Sequence, residues 1–233
     1  MVIQKAEEVQ NSIKVKIESV ERFQEDNFFM KTKPEKKLSF KAGQFVMINI
    51  DGVHKPFSIA SFPGEDTLDF LISVHPDGEI TPKLAKLKPG EEFEVEGPYG
   101  MFFVKDTPAK EIIFIAAGTG IAPFRSMVTD ALFRFPDKKV TLIFGFRYDF
   151  YFKDFWKKLQ KVHKNLRICA CCTRPHRTWK GYTGRVTEHL GGEIKNAKDK
   201  EVYICGPPPM VKDTREHLKE IGFADKQIRL ERW

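Results

Sequence analysis

The 233-residue sequence has few cysteines and no long apolar run. Residues 1–168 contain no cysteine, which argues against a disulfide scaffold. The longest purely apolar stretch, residues 112–117, is far shorter than the roughly 18 residues that a membrane span needs. Residues 1–8 are charged and polar where a signal peptide has an apolar core. We therefore expect a cytoplasmic protein with no membrane insertion.

Arginine and net positive charge are scarce in the first part of the chain. Residues 1–107 have a net charge of −4 and residues 108–233 a net charge of +11, and Arg22 is the only arginine before residue 108. This asymmetry predicts two domains, 1–107 and 108–233, of which the second binds anions. A lysine-rich solvated surface is the alternative. No RNA- or DNA-binding signature accompanies the charge, so we expect no nucleic-acid partner.

Short β-strands are the pattern of residues 1–107. Residues 13–17 alternate strictly between apolar and lysine side chains, as in a half-buried strand. Residues 44–50, 68–74 and 92–95 are further short β-type runs, separated by turns rich in Gly, Pro and Asp. Strands of this length and spacing are typical of a small barrel or sandwich.

Strands alternate with helices after residue 107. Apolar runs predict strands over 111–117, 140–145, 166–172, 201–205 and 227–232. Helical patterns lie between them, up to residue 135, over 152–163 and over 210–221. Because the strands are apolar throughout, we expect a parallel sheet with helices on both faces. The whole chain is thus predicted to be of the β + α/β class.

Two turns join predicted strands to predicted helices at positions suited to a ligand. Residues 118–123, G-T-G-I-A-P, follow the first strand of the second part, but their spacing is not the G-x-G-x-x-G of ordinary dinucleotide folds. Residues 205–210, C-G-P-P-P-M, form a rigid second turn. Open α/β sheets bind ligands at the carboxyl ends of their strands. A ligand-free tight turn, and a cysteine that is only a small core residue, are the alternatives.

Six motifs, in this order, resemble those of the ferredoxin–NADP reductase superfamily. They are residues 55–58 (similar to R-x-Y-S), 78–81 (G-x-x-S/T), 97–100 (G-P-x-G), 118–123 (G-T-G-x-A-P), 205–210 (C-G-P-x-x-M) and 231–233 (E-x-aromatic). The resemblance implies an antiparallel six-stranded flavin-binding barrel followed by a Rossmann-like parallel-sheet nucleotide-binding domain. It also implies FAD as the cofactor and NADPH or NADH as the substrate.

The same resemblance implies a role for individual residues at the flavin. Ser58 would hydrogen-bond the hydride-accepting nitrogen of the flavin. Phe57 would cover one face of the flavin ring and Trp233 the other. Lys55 would hold the FAD diphosphate. The residues implied to bind FAD are Lys55, Pro56, Phe57, Ser58, Ile72, Val74, His75, Gly78, Ile80, Thr81 and Trp233. Lys55 replaces the arginine and Phe57 the tyrosine usual in the family. Because lysine lacks the bidentate fork of arginine, we expect looser FAD binding than is usual in the family.

Nucleotide-binding residues follow from the resemblance in the second domain. They are Gly118, Thr119, Gly120, Pro123, Arg147, Thr173, Arg174, Cys205, Gly206, Pro207 and Met210. Thr119 and Cys205 would flank the nicotinamide. Thr173-Arg174 stands where NADP-preferring relatives often have S-R, which favours NADPH over NADH. Arginines that are solvated, or that bind the NADH diphosphate, are the alternative.

Catalysis is expected to rest on Ser58, Cys205, Glu231 and Trp233. Hydride transfer needs the two rings stacked and water excluded rather than an acid–base dyad. Glu231 is a candidate for proton movement, with a structural or solvated carboxylate as the alternative.

The acceptor is predicted to be a separate molecule. Residues 169–172, C-A-C-C, lie on a predicted strand and suit core packing better than a metal site. Electrons would therefore pass to a ferredoxin, a flavodoxin, an oxygenase component or a small acceptor. The alternatives are an NAD(P)H:flavin reductase with loosely bound flavin, and a non-catalytic nucleotide-binding module. The sequence carries no prediction of oligomeric state.

Overall fold

The first part of the chain forms an antiparallel sheet. The computed structural model describes residues 12–24 and 26–232. Within this described part, the first sheet has six strands: β1 (Ser12–Arg22), β2 (Asn27–Pro34), β3 (Phe45–Ile50), β4 (Val53–Ser58), β5 (Leu68–Ser73) and β6 (Glu92–Tyr99). Their spatial order is β4-β3-β6-β1-β2-β5, and a short helix, α1 (Thr81–Leu84), lies between β5 and β6.

This sheet curls so that its two edges meet. The Ala60 N–H, just beyond β4, donates to the Asp69 carbonyl oxygen on β5 over 2.8 Å. Alternate residues of β1 point into the barrel, with Ile13, Val15 and Ile17 buried. The expected antiparallel six-stranded barrel is confirmed.

Two barrel strands have no clear signal in the sequence. In β2 both Phe28 and Phe29 are buried, because Phe28 packs in the barrel core and Phe29 in a second core shared with the rest of the chain. This double burial removes the alternation that reveals a half-buried strand. Strand β4 lies at the edge of the sheet and contains Pro56, which is tolerated there because an edge strand leaves some N–H groups unpaired.

The second part forms a parallel sheet with helices. Its described strands are β7 (Glu111–Ala117), β8 (Lys139–Phe146), β9 (Leu166–Cys172), β10 (Tyr182–Thr183), β11 (Lys200–Gly206) and β12 (Ile228–Arg232). The helices are α2 (Ala122–Arg134), α3 (Lys153–Val162), α4 (Val186–Glu193) and α5 (Pro208–Glu220). The strand order is β10-β9-β8-β7-β11-β12, and each adjacent pair is parallel.

Strand β7 explains why this sheet needs a layer on each face. Its residues Phe114 and Ala116 belong to a core on one face, shared with Phe124 of α2. Ile113 and Ile115 belong to a separate core on the opposite face. The strand is therefore apolar at every central position, as the sequence pattern predicts.

Strand β7 also sets the position of the two glycine turns. From β7 the chain builds β8, β9 and β10 on one side, and then crosses back to build β11 and β12 on the other. The turns that follow β7 and β11 are thus neighbours at the point where the strand order reverses, which is where open α/β sheets place ligands. In the described part of the chain, no helix has the length and apolarity to cross a bilayer.

Candidate active site

A cavity of about 700 Å³ lies where the barrel meets the α/β domain. The residues implied for FAD that line it are Lys55, Pro56, Phe57, Ser58, Ile72, His75, Gly78, Ile80 and Thr81. Thr119 and Ala122 complete the lining from the second domain. The Val74 side chain packs instead against the barrel core, and Trp233 lies outside the described residues.

Ser58 provides the clearest indication of a bound group. It ends β4, its side chain is 9% exposed, and its hydroxyl has no hydrogen-bond partner within the described part of the chain. Buried polar atoms almost always have a partner. The Ser58 hydroxyl therefore fits a ligand that offers a polar atom inside the cavity, as a flavin ring does.

The opposite end of the cavity is arranged around a tight backbone loop. The His75 N–H donates to Thr81 Oγ1 over 3.0 Å, and the Gly78 N–H donates to the His75 carbonyl oxygen over 2.8 Å. A Cβ atom on Gly78 would lie 2.9 Å from that carbonyl oxygen, so the loop requires glycine at this position. The backbone can thus approach a ligand closely, as FAD diphosphate binding requires.

Lys55 is the cation at this end of the cavity. Its Nζ lies 2.5 Å from Glu79 Oε2, and both side chains are about half exposed. The hydrogen bond from Lys55 lowers the pKa of Glu79, so this carboxylate is ionised at neutral pH. Glu79 was not among the residues expected from the sequence, although it lies inside the 78–81 motif. The residues around the cavity fit FAD, with a carboxylate next to the cation implied for its diphosphate.

The two glycine turns of the α/β domain touch each other. A Cβ atom on Gly120 would lie 2.4 Å from the Cys205 carbonyl oxygen and 2.7 Å from Gly206 Cα. The structure thus brings together the 118–123 and 205–210 motifs, in which Gly120 and Cys205 are 85 residues apart in the sequence. Pro123 lies in the first turn of α2, and Met210 packs over Gly206. The proline-rich turn of Pro207 begins α5.

The residues expected at the ribose end lie together at the carboxyl ends of β8 and β9. The Thr173 N–H donates to the Phe146 carbonyl oxygen over 3.0 Å, and the Arg174 N–H donates to the Arg147 carbonyl oxygen over 3.1 Å. Arg174 Nη1 donates to the Tyr148 hydroxyl over 2.5 Å, and both arginine side chains are exposed. The arrangement offers two cations at one corner of the sheet.

Glu231 lies on β12 directly beside Cys205 on β11. Its Oε2 is buried and has no hydrogen-bond partner in the described residues. Burial raises the pKa of Glu231 to about 8, so the carboxyl group holds its proton at neutral pH. Glu231 is half-buried, and its role in proton movement stays a prediction.

The cysteines of β9 occupy core positions. Cys169, Cys171 and Cys172 are buried, and burial raises the pKa values of the Cys169 and Cys171 thiols to about 12. Within the described residues, no group of three or more His, Cys, Asp or Glu side chains is placed to hold a metal ion.

Comparison with known proteins gives two domain families in order. Residues 14–104 match the oxidoreductase FAD-binding domain, and residues 114–216 match the oxidoreductase NAD-binding domain. The chain is 30% identical over 213 residues to the reductase component DmpP of phenol 2-monooxygenase from Pseudomonas sp. (strain CF600), covering 86% of this chain and 60% of that protein. It is 33% identical over 208 residues to one subunit of the Na(+)-translocating NADH-quinone reductase of Neisseria meningitidis serogroup B (strain ATCC BAA-335 / MC58), covering 81% of this chain and 51% of that relative. The chain thus spans between half and two thirds of the length of these relatives.

Solved structures share the fold over almost the whole chain. The Amycolatopsis cytochrome P450 reductase GcoB superposes with a TM-score of 0.88 at 23% identity, over 95% of this chain and 69% of that one. A ferredoxin NADP+ reductase from Neisseria gonorrhoeae with bound FAD and NADP superposes with a TM-score of 0.82 at 24% identity, over 95% of this chain and 98% of that one. Since both domain families match in order and the fold agrees, this chain belongs to the ferredoxin–NADP reductase superfamily, with an FAD-binding barrel followed by an NAD-binding α/β domain.

Proposed function

We propose that this chain is an FAD-dependent NAD(P)H oxidoreductase that moves hydride from NAD(P)H to FAD and passes the electrons to a separate acceptor. The observation that carries the proposal is the cavity between the domains, where the unpartnered Ser58 hydroxyl of the barrel and Thr119 of the first glycine turn line the same space. We assign residues 1–107 to the FAD domain and 108–233 to the NAD(P) domain. The end of β6 at Tyr99 and the start of β7 at Glu111 support this boundary.

Bound FAD would supply the two-electron chemistry, and the chain's own residues would bind and orient the reactants. Ser58 would donate or accept a hydrogen bond at the flavin ring, and Phe57 would stack on it. Lys55 and Thr81 would hold the diphosphate. Trp233 is proposed to cover the face of the flavin ring opposite Phe57. This proposal rests on the sequence resemblance alone.

On the nucleotide side, Thr119 and Cys205 would flank the nicotinamide. Cys205 is fully buried at the end of β11, and its carbonyl contacts the Gly120 turn, which supports a fixed position for both. The protonated Glu231 carboxyl beside Cys205 would hold a proton at Oε1 or Oε2 near the reaction site. These residues would contribute to hydride transfer by holding the nicotinamide and flavin rings stacked in a closed pocket.

NADPH is the proposed nucleotide, and Arg174 and Arg147 are its proposed contacts at the ribose phosphate. Both arginines lie beside Thr173 at one corner of the sheet. If this is correct, Arg174→Ala lowers the ratio of kcat/KM for NADPH to kcat/KM for NADH by about tenfold, the size of effect expected from losing one charge-assisted phosphate contact. An unchanged ratio would contradict the assignment, and Arg215→Ala, at a half-exposed arginine of α5 that is paired with Asp225, is the control that should leave the ratio unchanged.

A separate redox protein or small molecule is the proposed acceptor, and the location proposed is cytoplasmic. The relatives named above include a reductase component of a monooxygenase and a cytochrome P450 reductase, which supports electron delivery to a partner. The four free cysteines support a reducing compartment. A flavin reductase that uses FAD as a loosely held substrate is the second candidate, because the Lys55–Glu79 pair weakens the cation available to the diphosphate.

Anaerobic titration of the purified, FAD-loaded protein with each nucleotide tests the proposal. We expect the flavin absorbance to bleach with NADPH, and the colour to remain through gel filtration. Loss of colour during gel filtration, with turnover of added flavin, would favour the flavin-reductase candidate. A protein that binds FAD and nucleotide but neither bleaches nor reduces ferricyanide would instead be a non-catalytic nucleotide-binding module.

A further inference from the structure

Arg125 reaches from the α/β domain into the barrel. It lies on α2, one turn after Ala122, and its Nη1 donates to the Ala60 carbonyl oxygen over 2.9 Å. The same nitrogen lies 3.2 Å from Oδ2 of Asp69 on β5. The side chains of Arg125 and Asp69 are only 14% and 4% exposed, so this is a largely buried ion pair between the two domains.

Aromatic rings from both domains surround the Arg125 guanidinium. Phe29 and Phe62 of the barrel domain lie 5.6 and 4.8 Å from it, measured from Cζ to the ring centroid. Phe152 and Phe155 of the α/β domain lie at 5.3 and 5.5 Å. Each distance is within the range of a cation–π contact, and such contacts are stronger where water is excluded.

The same rings pair across the domain boundary. Phe29 meets Phe152 edge to face at a centroid distance of 5.0 Å, and Phe62 meets Phe155 at 5.7 Å. The guanidinium and the four rings therefore form one unit, which we call the Arg125 clamp, together with Asp69 and the Ala60 carbonyl. Half of its aromatic members belong to each domain.

Each end of the Arg125 clamp is close in sequence to the wall of the cavity. Ala60 is two residues after Ser58, and Asp69 is two residues before Leu71, which also lines the cavity. Arg125 is three residues after Ala122, which lines it from the other domain. Asp69 lies on β5, Arg125 lies on α2 and Ala60 lies two residues after the end of β4, so we expect a change at the clamp to shift the cavity walls.

The distance between the two walls matters more to hydride transfer than to binding. A misplacement of about 1 Å between reacting groups costs on the order of 100-fold in rate, whereas binding of each ligand depends mainly on contacts within one domain. The FAD contacts proposed above lie in the barrel, and the nucleotide contacts lie in the α/β domain. The clamp holds the two sets in register, together with the linker, the shared core and the hydrogen bonds from Gln24 and Asn27 to Asp149 and Tyr151.

We propose that Arg125 is a positioning residue for hydride transfer, which sets the distance between the flavin side and the nicotinamide side of the cavity through the clamp. This inference rests on the proposed function for its catalytic consequence. It does not involve contact between Arg125 and either ligand.

Arg125→Lys is the primary test, because lysine keeps the charge but cannot present the planar fork to Asp69, Ala60 and the rings together. Asp69→Asn is the second variant, since it removes the buried charge with almost no change in shape, and it serves if Arg125→Lys does not fold. Arg167→Lys is the matched control. Arg167 lies on β9 and its Nη2 is 2.8 Å from Oε2 of the buried Glu193 side chain, so it is an arginine–carboxylate pair formed within the α/β domain.

Single-turnover reduction of the FAD-loaded protein at saturating nucleotide, expressed per bound flavin, is the main measurement. We expect Arg125→Lys and Asp69→Asn to slow reduction at least tenfold, with FAD and nucleotide dissociation constants within threefold of the wild-type values. Arg167→Lys should stay within twofold in all three quantities. A purely structural role would lower the fraction of protein that binds flavin and leave the rate per bound flavin unchanged.

Hydrogen–deuterium exchange of the same FAD-loaded proteins separates the clamp from the proposed function. Faster exchange is expected in the segments around residues 57–62 and 119–125 of both clamp variants, and not in Arg167→Lys. If neither nucleotide reduces the flavin of the wild-type protein, the proposed function fails. The exchange data then test on their own whether the clamp holds the two segments in place. Rates within twofold of wild type in both clamp variants, or unchanged exchange at both segments, would overturn the inference.

Discussion

Single atoms in the cavity determine how strongly a flavin is held. Ser58 Oγ is buried and has no hydrogen-bond partner among the residues that the structure describes, so the protein bears a desolvation cost at that atom which a ligand can relieve. At the other end, Lys55 is already paired with Glu79, so a diphosphate must compete for the only lysine or arginine side chain of the described cavity lining. Ser58 thus favours FAD binding, and the Lys55–Glu79 pair opposes it.

Replacing Ser58 with alanine should separate these effects. We expect Ser58→Ala to leave the flavin-free protein as stable as the parent or slightly more stable, because an unsatisfied polar group is removed. The FAD dissociation constant should rise about fivefold, equivalent to about 1 kcal/mol for one hydrogen bond. Fluorescence titration with FAD and denaturant unfolding measure the two quantities. Ser61→Ala is the control, since Ser61 Oγ accepts the Asp69 N–H over 3.2 Å and its loss should destabilise the protein without weakening FAD binding.

Removing the charge of Glu79 should tighten FAD binding. Glu79→Gln frees Lys55 and takes a negative charge away from the expected diphosphate, and we expect a roughly threefold lower FAD dissociation constant at low ionic strength. The difference should shrink as salt is added, because both side chains are partly exposed and screened. Asp51→Asn breaks the comparable Lys83–Asp51 pair and should have no effect. Equal FAD affinity of Glu79→Gln and the parent at low salt would contradict the competition.

Glu231 should make stability depend on pH. Its pKa is about 8 in the folded chain and 4.5 as its ordinary value, so the folded state keeps a proton that the unfolded chain releases. The stability linked to this proton is complete below about pH 4.5 and is lost progressively as pH rises to about 8. Glu231→Gln should therefore gain stability relative to the parent across this window, with a constant difference above it. Denaturant unfolding at several pH values checks this, and parallel pH profiles of parent and variant would contradict it.

Strands and turns fix the nucleotide side of the site. Strands β7 and β11 are paired in register, and the turns after them are in contact through Gly120 and the Cys205 carbonyl. The geometry of each turn therefore depends on the other turn. Each of the two turns limits which residues fit in the other.

Substitution of Gly120 by alanine should disturb both turns at once. The added Cβ would lie 2.4 Å from a backbone oxygen, so one of the turns must shift. We expect Gly120→Ala to lower protein stability by about 2 kcal/mol, the typical cost of overpacking, and to weaken nucleotide binding at least tenfold. Gly192→Ala is the control, since a Cβ there meets nothing within 4 Å and should stabilise α4 by about 0.5–1 kcal/mol. Nucleotide titration and thermal unfolding of the two variants provide the comparison.

The sequence predicts those strands and helices that have one clear local pattern of apolar residues. The bounds of β7 and β9 agree with the predicted ranges, because each strand is an apolar run that ends at a turn. Strand β10 has two residues and α4 contains Gly191 and Gly192, so neither has a clear periodic pattern.

Side-chain contacts between distant segments are the part of the site that periodicity cannot reveal. The Lys55–Glu79 pair joins positions 24 residues apart, and the Arg125–Asp69 pair joins positions 56 residues apart. Motif resemblance brings Lys55 to attention, but only the fold shows which charge it meets.

Three groups of contacts join the two domains in the described part of the chain. They are the Arg125 clamp, the linker between β6 and β7, and the β1–β2 turn, where Asn27 Nδ2 donates to the Tyr151 hydroxyl over 2.8 Å. In that linker, Phe102 packs against Phe124 and Tyr203, and Arg134 donates to the Val104 carbonyl oxygen over 2.8 Å. One buried core continues from the barrel into the α/β domain, so separating the two domains would expose apolar surface.

Such a shared core predicts one unfolding transition for both domains. We expect calorimetry to give a single peak whose calorimetric and van't Hoff enthalpies agree, and FAD to shift the entire peak to higher temperature. Asp69→Asn should lower the midpoint while keeping the peak single. Two resolved peaks in the parent protein, one of them insensitive to FAD, would contradict a common core.

The burial of every cysteine has a practical consequence. Cys169, Cys171, Cys172 and Cys205 are all inaccessible, and the raised pKa values of the first two leave almost no thiolate at neutral pH. Maleimide dyes should therefore not react with the four native cysteines. Two cysteines introduced at the surface could then be labelled selectively with a fluorophore pair. The interdomain distance could then be followed by energy transfer during turnover without replacing any native thiol.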